Sequence, residues 1–359
     1  MPIQLEDNIK CPKLFFIYIT SKVNNMYKRI IIRATFTLCM ALFANESFAQ
    51  GPNNSGTYYQ KADGQKGSSL KTALADIISN HTTISYDGLL DAYKTTDKRS
   101  DGKVWDMYSN TTNFTFDKDK AGNYKKEGDV YNREHSVPQS WFSKASPMKS
   151  DLVHVVPTDG YVNNRRGNYP FGETNGEKYQ SNNGFSKLGA STISGYSGIV
   201  FEPNDIYKGD FARIYFYMAT CYENKISGWS GDMFNKTKYP AFKTWALEML
   251  LKWSKEDPVS QKEIDRNKGV YQLQKNRNPF VDYPGLEEYI WGSKKDVAFS
   301  YDQYDAPTLI ELPVQDINIT DVYTITGIKV RSKVDKSHAT ENLKPGIYII
   351  NRKKVIVNP

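Results

Sequence analysis

The sequence predicts an α+β fold with several helices, followed by a small all-β module at its C-terminal end. Apolar residues recur with helical spacing in four segments, 70–79, 209–222, 241–253 and 259–275. After about residue 307 the chain instead carries short runs rich in Val, Ile and Tyr, separated by glycine and proline. Of the 359 residues, 39% are hydrophobic and 13% aromatic, which is enough apolar material for a buried core.

The N-terminal segment resembles a secretory signal peptide. Residues 26–50 read MYKRIIIRATFTLCMALFANESFAQ, in which basic residues precede an apolar run that ends at Ser47-Phe48-Ala49, a small-x-small cleavage site. We therefore expect a signal peptide over 26–49, translation from Met26, and residues 1–25 to be an upstream extension that is not native. The apolar run is far shorter than the ~20 residues that span a bilayer, so no stable membrane insertion is expected.

The segment from 50 to 307 is predicted to be one catalytic domain, and 308–359 a separate β-rich domain. The helix at 259–275 is bounded by Asp257-Pro258 and Asn278-Pro279, which are start and stop signals. The formal charge of +7 sits mainly outside the catalytic domain, since residues 50–307 hold 33 basic and 32 acidic side chains. Binding of a polyanion by this domain must therefore depend on a local cluster of cations.

The chemistry-bearing residues concentrate between 131 and 173. Two of the four histidines, His135 and His154, lie there beside Glu134 and several amides and arginines. A neutral imidazole can take a proton from water near pH 7, a carboxylate with an amide offers two oxygen ligands to a hard cation, and guanidinium groups bind phosphates. This set suits metal-assisted hydrolysis of phosphodiesters.

Other chemistries lack their usual residues in this sequence. There is no HExxH motif for zinc, no cluster of carboxylates for a two-metal nuclease, and no GxSxG, Walker or GxGxxG motif. A sequence-specific HNH-type endonuclease is disfavoured because no appended recognition helix or zinc finger is visible.

Four ordered motifs make the chain resemble the bacterial endonuclease I family of secreted or periplasmic nonspecific nucleases. They are YNREHSVPQSW, DLVHVVPTDGYVNNRRGNYPFGE, VFEPNDIYKGDFARIYFYMAT and RNKGVYQLQKNRNPFVDYP, and the likeness runs over most of 58–291. The resemblance implies a ββα-metal (His-Me) finger and Mg²⁺-dependent cleavage of DNA, often of RNA as well, with Ca²⁺ or Mn²⁺ as alternative ions. Val153 departs from the family pattern, which has His or an aromatic residue there in many members.

The resemblance also assigns roles to residues. His135 matches the general base, and Glu134 and Asn163 match the metal ligands. Four further residues match positions that flank the site and are expected to contact substrate: Arg133, Arg166, Asn168 and Arg277. His154 lies in an apolar run and is expected to be a buried supporting residue.

Two further expectations concern local geometry and export. Because neighbouring residues of a regular strand point to opposite faces, we expect a bend or loop at Glu134-His135. The tail pattern VYxxxGxKV followed by LxxGIYIIxxxKV resembles the sorting domain of the type IX secretion system of Bacteroidetes-type bacteria. That likeness implies a secreted or cell-surface protein, less so a periplasmic one, with the secretion machinery as partner and no other protein partner predicted.

Two functions fit these observations. The first is an active, sequence-nonspecific endonuclease acting on DNA and also on RNA. The second is an inactive surface protein that binds extracellular DNA, which predicts salt-sensitive retention of DNA without cleavage.

Overall fold

The computed structural model describes residues 51–120, 122–304, 319–325, 327–335, 338–350 and 353–357. The expected signal peptide and the extension before it lie outside these residues. Within the described part, no helix combines the length and the apolar character needed to cross a membrane.

The described elements occur as separate runs of helices and of short antiparallel strands, as is typical of an α+β fold. In chain order they are α1 (Gly67–Ile78), α2 (Leu89–Thr96), β1 (Tyr131–His135), β2 (Val155–Asp159), α3 (Gly160–Arg166), β3 (Tyr179–Gln180), β4 (Lys187–Ala190), β5 (Ile199–Glu202), α4 (Asp205–Cys221), α5 (Thr244–Glu256), α6 (Gln261–Gln274), α7 (Pro279–Asp282), α8 (Leu286–Ile290), β6 (Ile319–Thr324), β7 (Lys329–Asp335), β8 (Gly346–Ile350) and β9 (Lys353–Val357). The predicted fold class is confirmed.

The four helices predicted from apolar spacing are all present, as α1, α4, α5 and α6. Helix α6 begins with a capping box, in which Ser260 accepts from the Glu263 amide and the Glu263 carboxylate accepts from the Ser260 amide. It ends where Lys275 adopts a left-handed conformation. The helix thus lies between the predicted signals Asp257-Pro258 and Asn278-Pro279, and its ends are set two to three residues inside them by Ser260 and Lys275.

The central element of the core is α4. Residues 209–221 of this helix are all buried, and it packs against α1, α5 and α7. A helix that is buried on every side needs other elements around it, and the charges it buries, Asp210 and Arg213, are paired with Lys262 and Glu263. The main core forms around it and includes the aromatic residues Phe211, Tyr215 and Phe216.

The segment that carries the predicted site folds as two antiparallel strands followed at once by a helix. In the pairing of β1 with β2, Glu134 faces Val156 and His135 faces Val155. Helix α3 starts at Gly160, where the Asp159 side chain caps it by accepting from the Val162 amide. Helix α3 packs on both strands.

Two other antiparallel sheets complete the described structure. Strands β3, β4 and β5 form one in that order, and the C-terminal strands form the other in the order β7-β6-β8-β9. The C-terminal sheet has a small core of its own, made of Val322, Ala339, Tyr348 and Ile350. The all-β module predicted from the tail is therefore confirmed as a fold.

Candidate active site

Glu134 and His135 are the last two residues of β1, and both are buried, with 2% and 5% of their surface exposed. The strand stays paired with β2 through both residues, so the predicted bend between them is wrong. Cross-strand backbone hydrogen bonds hold the strand regular, and the chain turns only after His135. The two side chains consequently lie on opposite faces of the strand end.

The hydrogen bond of His135 fixes which ring nitrogen is basic. Its Nε2 lies 2.9 Å from the Lys149 carbonyl oxygen. Because a carbonyl can only accept, Nε2 must carry the hydrogen, and in the neutral ring the lone pair is on Nδ1. Within the described residues Nδ1 makes no hydrogen bond, and it is not one of the fully enclosed unpaired atoms.

The surroundings of His135 keep the ring neutral. Burial lowers its pKa to about 3, and the neighbouring His154 adds to the effect. The imidazole stacks on the Tyr86 ring, with centroids 5.9 Å apart and planes inclined by 20°. The ring is therefore neutral at pH 7 and its Nδ1 lone pair is free to accept a proton, while the same fall in pKa makes it a weaker base than an exposed imidazole.

Glu134 is held on one side by a buried cation and a phenol. Its Oε1 accepts from the Tyr108 hydroxyl at 2.7 Å and from Nη1 of Arg166. Burial raises the pKa of Glu134, while the positive charge of Arg166 opposes that rise. Its second oxygen, Oε2, makes no hydrogen bond with any residue that the structure describes.

Asn163 on α3 points its amide toward the same strand. Its Nδ2 donates to Asn132 Oδ1 at 2.7 Å and lies 3.4 Å from the Arg133 carbonyl oxygen. A backbone carbonyl can only accept a hydrogen bond, so the Asn163 side-chain atom that faces the Arg133 carbonyl must be the nitrogen. The Asn163 Oδ1 then makes no hydrogen bond inside the described chain. One carboxylate oxygen and one amide oxygen beside β1 therefore make no hydrogen bond with the described residues, and such oxygens are ligands for a hard divalent cation.

Arg166 and Arg277, two of the four expected substrate contacts, lie inside the protein. Each of the three Arg166 nitrogens donates internally, to the Tyr169 carbonyl, to Glu134 and the His135 carbonyl, and to the Ser136 carbonyl. Arg277 makes two hydrogen bonds with the Asp282 carboxylate, at 2.7 and 2.6 Å. Both guanidinium groups are thus committed to structural partners.

Arg133 and Asn168, the other two expected contacts, remain accessible. Asn168 is exposed just after α3. The Arg133 Nη1 donates to the Tyr86 carbonyl and to Asp87, whose side chain is 95% exposed. A nucleic acid could reach both residues without breaking the core.

His154 lies beneath the site, where it is completely buried. Its Nε2 is 2.6 Å from the Met148 carbonyl oxygen, and its Nδ1 is enclosed and has no hydrogen-bond partner among the residues that the structure describes. Burial lowers its pKa to about 4. Its ring lies 5.6 Å from that of His135, so it packs behind the base and does not face solvent.

A second group of ligand-type atoms occurs away from Glu134, in His81, Asp151 and Cys221, whose donor atoms lie within 4.8 Å of one another. The Asp151 Oδ2 already accepts from the hydroxyls of Tyr217 and Tyr222, at 2.8 and 2.6 Å. A metal ion here would have to displace these hydrogen bonds. We therefore interpret the group as a buried hydrogen-bond network and not as a metal site.

Comparison with known proteins agrees with this geometry. The family model for endonuclease I matches residues 66–285, which contain β1, β2, α3 and all the candidate residues. The chain belongs to the endonuclease I family. Membership identifies it as a hydrolytic nuclease, and nucleic acid as its substrate.

Extracellular and periplasmic nucleases are among the most similar relatives of this endonuclease I chain. The extracellular ribonuclease of Bacillus amyloliquefaciens is 34% identical over 273 residues, covering 74% of this chain and 89% of that protein. The extracellular ribonuclease of Bacillus subtilis (strain 168) is 36% identical over 241 residues, covering 66% and 78%. A periplasmic deoxyribonuclease of Aeromonas hydrophila is 26% identical over 135 residues, covering 38% and 48%.

Four residues around the endonuclease I site were missed by the sequence analysis: Tyr86, Tyr108, Asn132 and Lys149. Each contacts a candidate residue that is distant in the sequence: Tyr86 and Lys149 contact His135, Tyr108 contacts Glu134, and Asn132 contacts Asn163. Only Asn132 carried a signal, since it adjoins the REH motif. The others are an ordinary lysine and two of 25 tyrosines in the sequence.

Proposed function

We propose that this protein is a secreted, Mg²⁺-dependent, sequence-nonspecific endonuclease that cleaves DNA and also RNA. The observation that carries the proposal is that the end of β1 and helix α3 together offer His135 Nδ1 and two oxygens, Glu134 Oε2 and Asn163 Oδ1, none of which makes a hydrogen bond within the described residues. Strand-strand-helix order supports a His-Me finger, because β1 carries Glu134 and His135, α3 carries Asn163, and β2 pairs with β1 and leads directly into α3. The names of the relatives support both substrates, since ribonucleases and deoxyribonucleases occur among them.

In this proposal each residue has a defined task. Glu134 Oε2 and Asn163 Oδ1 would hold the divalent cation, which when bound polarises a phosphate and stabilises negative charge. His135 takes a proton from the attacking water at Nδ1, while the Lys149 carbonyl holds the ring through Nε2. Arg166 keeps Glu134 ionised and oriented, as a positioning residue.

The proposal also covers the location of the protein. Extracellular relatives and the signal-like segment over 26–49 support export. The C-terminal module has the strands that a sorting domain would need, and we propose that it engages a type IX secretion machinery. Detection of the protein in culture medium, and its retention in cells when the module is deleted, would test both statements.

Cleavage assays with plasmid DNA and with single-stranded RNA test the catalytic proposal directly. We expect Mg²⁺-dependent cutting that EDTA abolishes, and a loss of ~100-fold or more for His135→Ala because general-base catalysis contributes ~10²–10⁴-fold. His338→Ala, in the C-terminal module, is the matched control and should cut normally.

The metal assignment needs a measurement that does not depend on activity. Calorimetric titration should show that His135→Ala still binds Mg²⁺, whereas Glu134→Gln and Asn163→Ala bind it weakly. Full activity in His135→Ala would disprove the assignment of His135 as the general base. Retention of DNA without any cleavage by the unsubstituted protein would favour the inactive DNA-binding alternative.

A further inference from the structure

The Tyr86 ring gathers three nitrogen-bearing groups at the edge of the site. The Arg133 guanidinium carbon lies 3.9 Å from the ring centroid and the Lys149 ammonium 4.7 Å from it. The His135 imidazole stacks on the same ring. Tyr86 therefore fixes two cations beside the proposed general base through cation–π contacts.

Lys149 is tied to His135 by its backbone as well. Its carbonyl oxygen accepts the hydrogen bond that orients the imidazole. The short helical turn Met148–Ser150 fixes the backbone there. The Lys149 backbone is thus hydrogen-bonded to the His135 ring, and the Lys149 ammonium group lies over the Tyr86 ring that stacks on His135.

The charge of Lys149 is uncompensated, unlike that of three buried or partly buried lysines elsewhere in the catalytic domain. Lys71 pairs with Glu223 at 3.0 Å, Lys208 with Glu202 at 2.7 Å and Lys262 with Asp210 at 2.8 Å. Among the described residues Lys149 has no carboxylate partner, although its side chain is only partly exposed. A half-buried ammonium without a counter-ion beside a reaction centre is suited to an anionic ligand.

We propose that Lys149 binds a backbone phosphate of the nucleic acid next to the scissile bond, and that Tyr86 positions its ammonium group. The proposal rests on the nuclease function proposed above. Phosphate is the anion that a nucleic acid presents, and an ammonium binds it as a point charge without reading sequence. Lys149 then supplies part of the local positive charge that a nearly neutral catalytic domain needs.

Binding measurements in a His135→Ala background test this without cleavage. Fluorescence anisotropy would follow a labelled DNA duplex and a labelled single-stranded RNA in Mg²⁺, with Lys149→Gln, Lys149→Arg and Lys61→Gln compared. Lys61 is exposed and makes no ion pair or cation–π contact with a candidate residue in the described chain, so its variant removes the same charge without changing those contacts. We expect Lys149→Gln to weaken binding by roughly tenfold and Lys149→Arg to retain much of it.

The salt dependence of affinity separates a phosphate contact from a structural effect. Loss of one contact should make the slope of log affinity against log salt shallower by about 0.9 on the duplex. Lys61→Gln should leave the slope unchanged. In the active protein, Lys149→Gln should raise KM more than it lowers kcat, because the contact already forms in the bound substrate.

Tyr86 provides an independent pair of variants. Tyr86→Leu removes the ring and should weaken binding in the same direction as Lys149→Gln, whereas Tyr86→Phe keeps the ring and should recover most of that loss. With Leu at position 86, the further effect of Lys149→Gln should shrink, since the ammonium is no longer positioned.

Two outcomes would overturn the proposal in distinguishable ways. If the unsubstituted protein cuts nucleic acid but Lys149→Gln matches Lys61→Gln in affinity and slope, only the role of Lys149 fails. If the unsubstituted protein neither binds nor cuts either nucleic acid, the proposed function fails and this inference fails with it. Thermal unfolding of each variant checks that the comparison is made between folded proteins.

Discussion

Glu134 and Arg166 form an ion pair in which the side chains are 2% and 1% exposed. Removing two charges from water is costly, and mutual attraction together with further hydrogen bonds offsets that cost. Arg166 adds such bonds to the His135 and Ser136 carbonyls. The pair therefore links the proposed metal ligand, the end of β1 and helix α3.

Replacing Arg166 by methionine should destabilise the protein strongly. The variant leaves the Glu134 carboxylate buried without its cation, which costs about 3 kcal/mol or more of unfolding free energy. Urea denaturation at neutral pH measures this change. The neighbouring Arg165 is exposed, and its replacement by methionine should change the unfolding free energy by less than about 0.5 kcal/mol.

The double variant Glu134→Gln with Arg166→Met isolates the charge effect. Because it removes both charges, it should recover a large part of the stability lost in Arg166→Met alone. An Arg166→Met variant as stable as Arg165→Met would contradict the buried ion pair.

At the scale of elements, α3 is a seven-residue helix that carries both Asn163 and Arg166. Helices this short are not stable alone, so its ends and its packing must hold it. Asp159 provides one anchor, since one of its oxygens accepts from the Val162 amide and the other from the Gly128 amide. The cap thus joins α3 to the loop before β1.

Asp159→Ala should lower both stability and metal affinity. Loss of a helix cap and a second buried hydrogen bond costs about 2 kcal/mol, and fraying of α3 displaces the Asn163 amide. Calorimetric titration with Mg²⁺ and thermal unfolding measure the two effects.

The matched variant is Asn204→Ala, which removes the cap of α4. It should cost about 1 kcal/mol of stability while Mg²⁺ affinity stays the same, because α4 carries no proposed ligand. Equal Mg²⁺ affinity in the two variants would disprove the link between the cap and the site.

The elements also show what the sequence could predict. Helices α4 and α6 were predictable because apolar spacing and capping residues are local signals. The straight path of β1 through Glu134 and His135 was not, since it depends on pairing with Val155 and Val156 across an intervening loop. Likewise, the contact of Tyr108 with Glu134 and the position of Lys149 arise from tertiary packing, which leaves no periodic trace in the chain.

At the scale of the whole molecule, charge and core are both divided. The tail 308–359 carries 8 basic and 5 acidic residues, whereas 50–307 is nearly neutral. Substrate affinity that depends on local cations such as Arg133 and Lys149 should not need the tail. In the described part of the chain the buried apolar residues likewise form two clusters, a large one that ends near Tyr304 and the small one of the C-terminal module.

A chain ending at residue 307 should therefore fold and cut nucleic acid. We expect its melting temperature to lie within a few degrees of that of the longer chain, and its salt slope to be the same, because the described residues of the module provide no member of the large core and no candidate site residue. Calorimetry and the cleavage assay measure these properties on the two chains side by side.

A chain ending at residue 296 is the informative counterpart, because it also loses Phe299 and Tyr304. Phe299 is buried, contacts Tyr283 with ring centroids 4.9 Å apart, and its backbone bonds to Gly64 and Gln65. Loss of a buried phenylalanine alone costs about 3–5 kcal/mol, which would lower the melting temperature by roughly ten degrees in a domain of this size. If the chain ending at 307 melted as early as this one, the C-terminal module would be part of the catalytic core and not a separate unit.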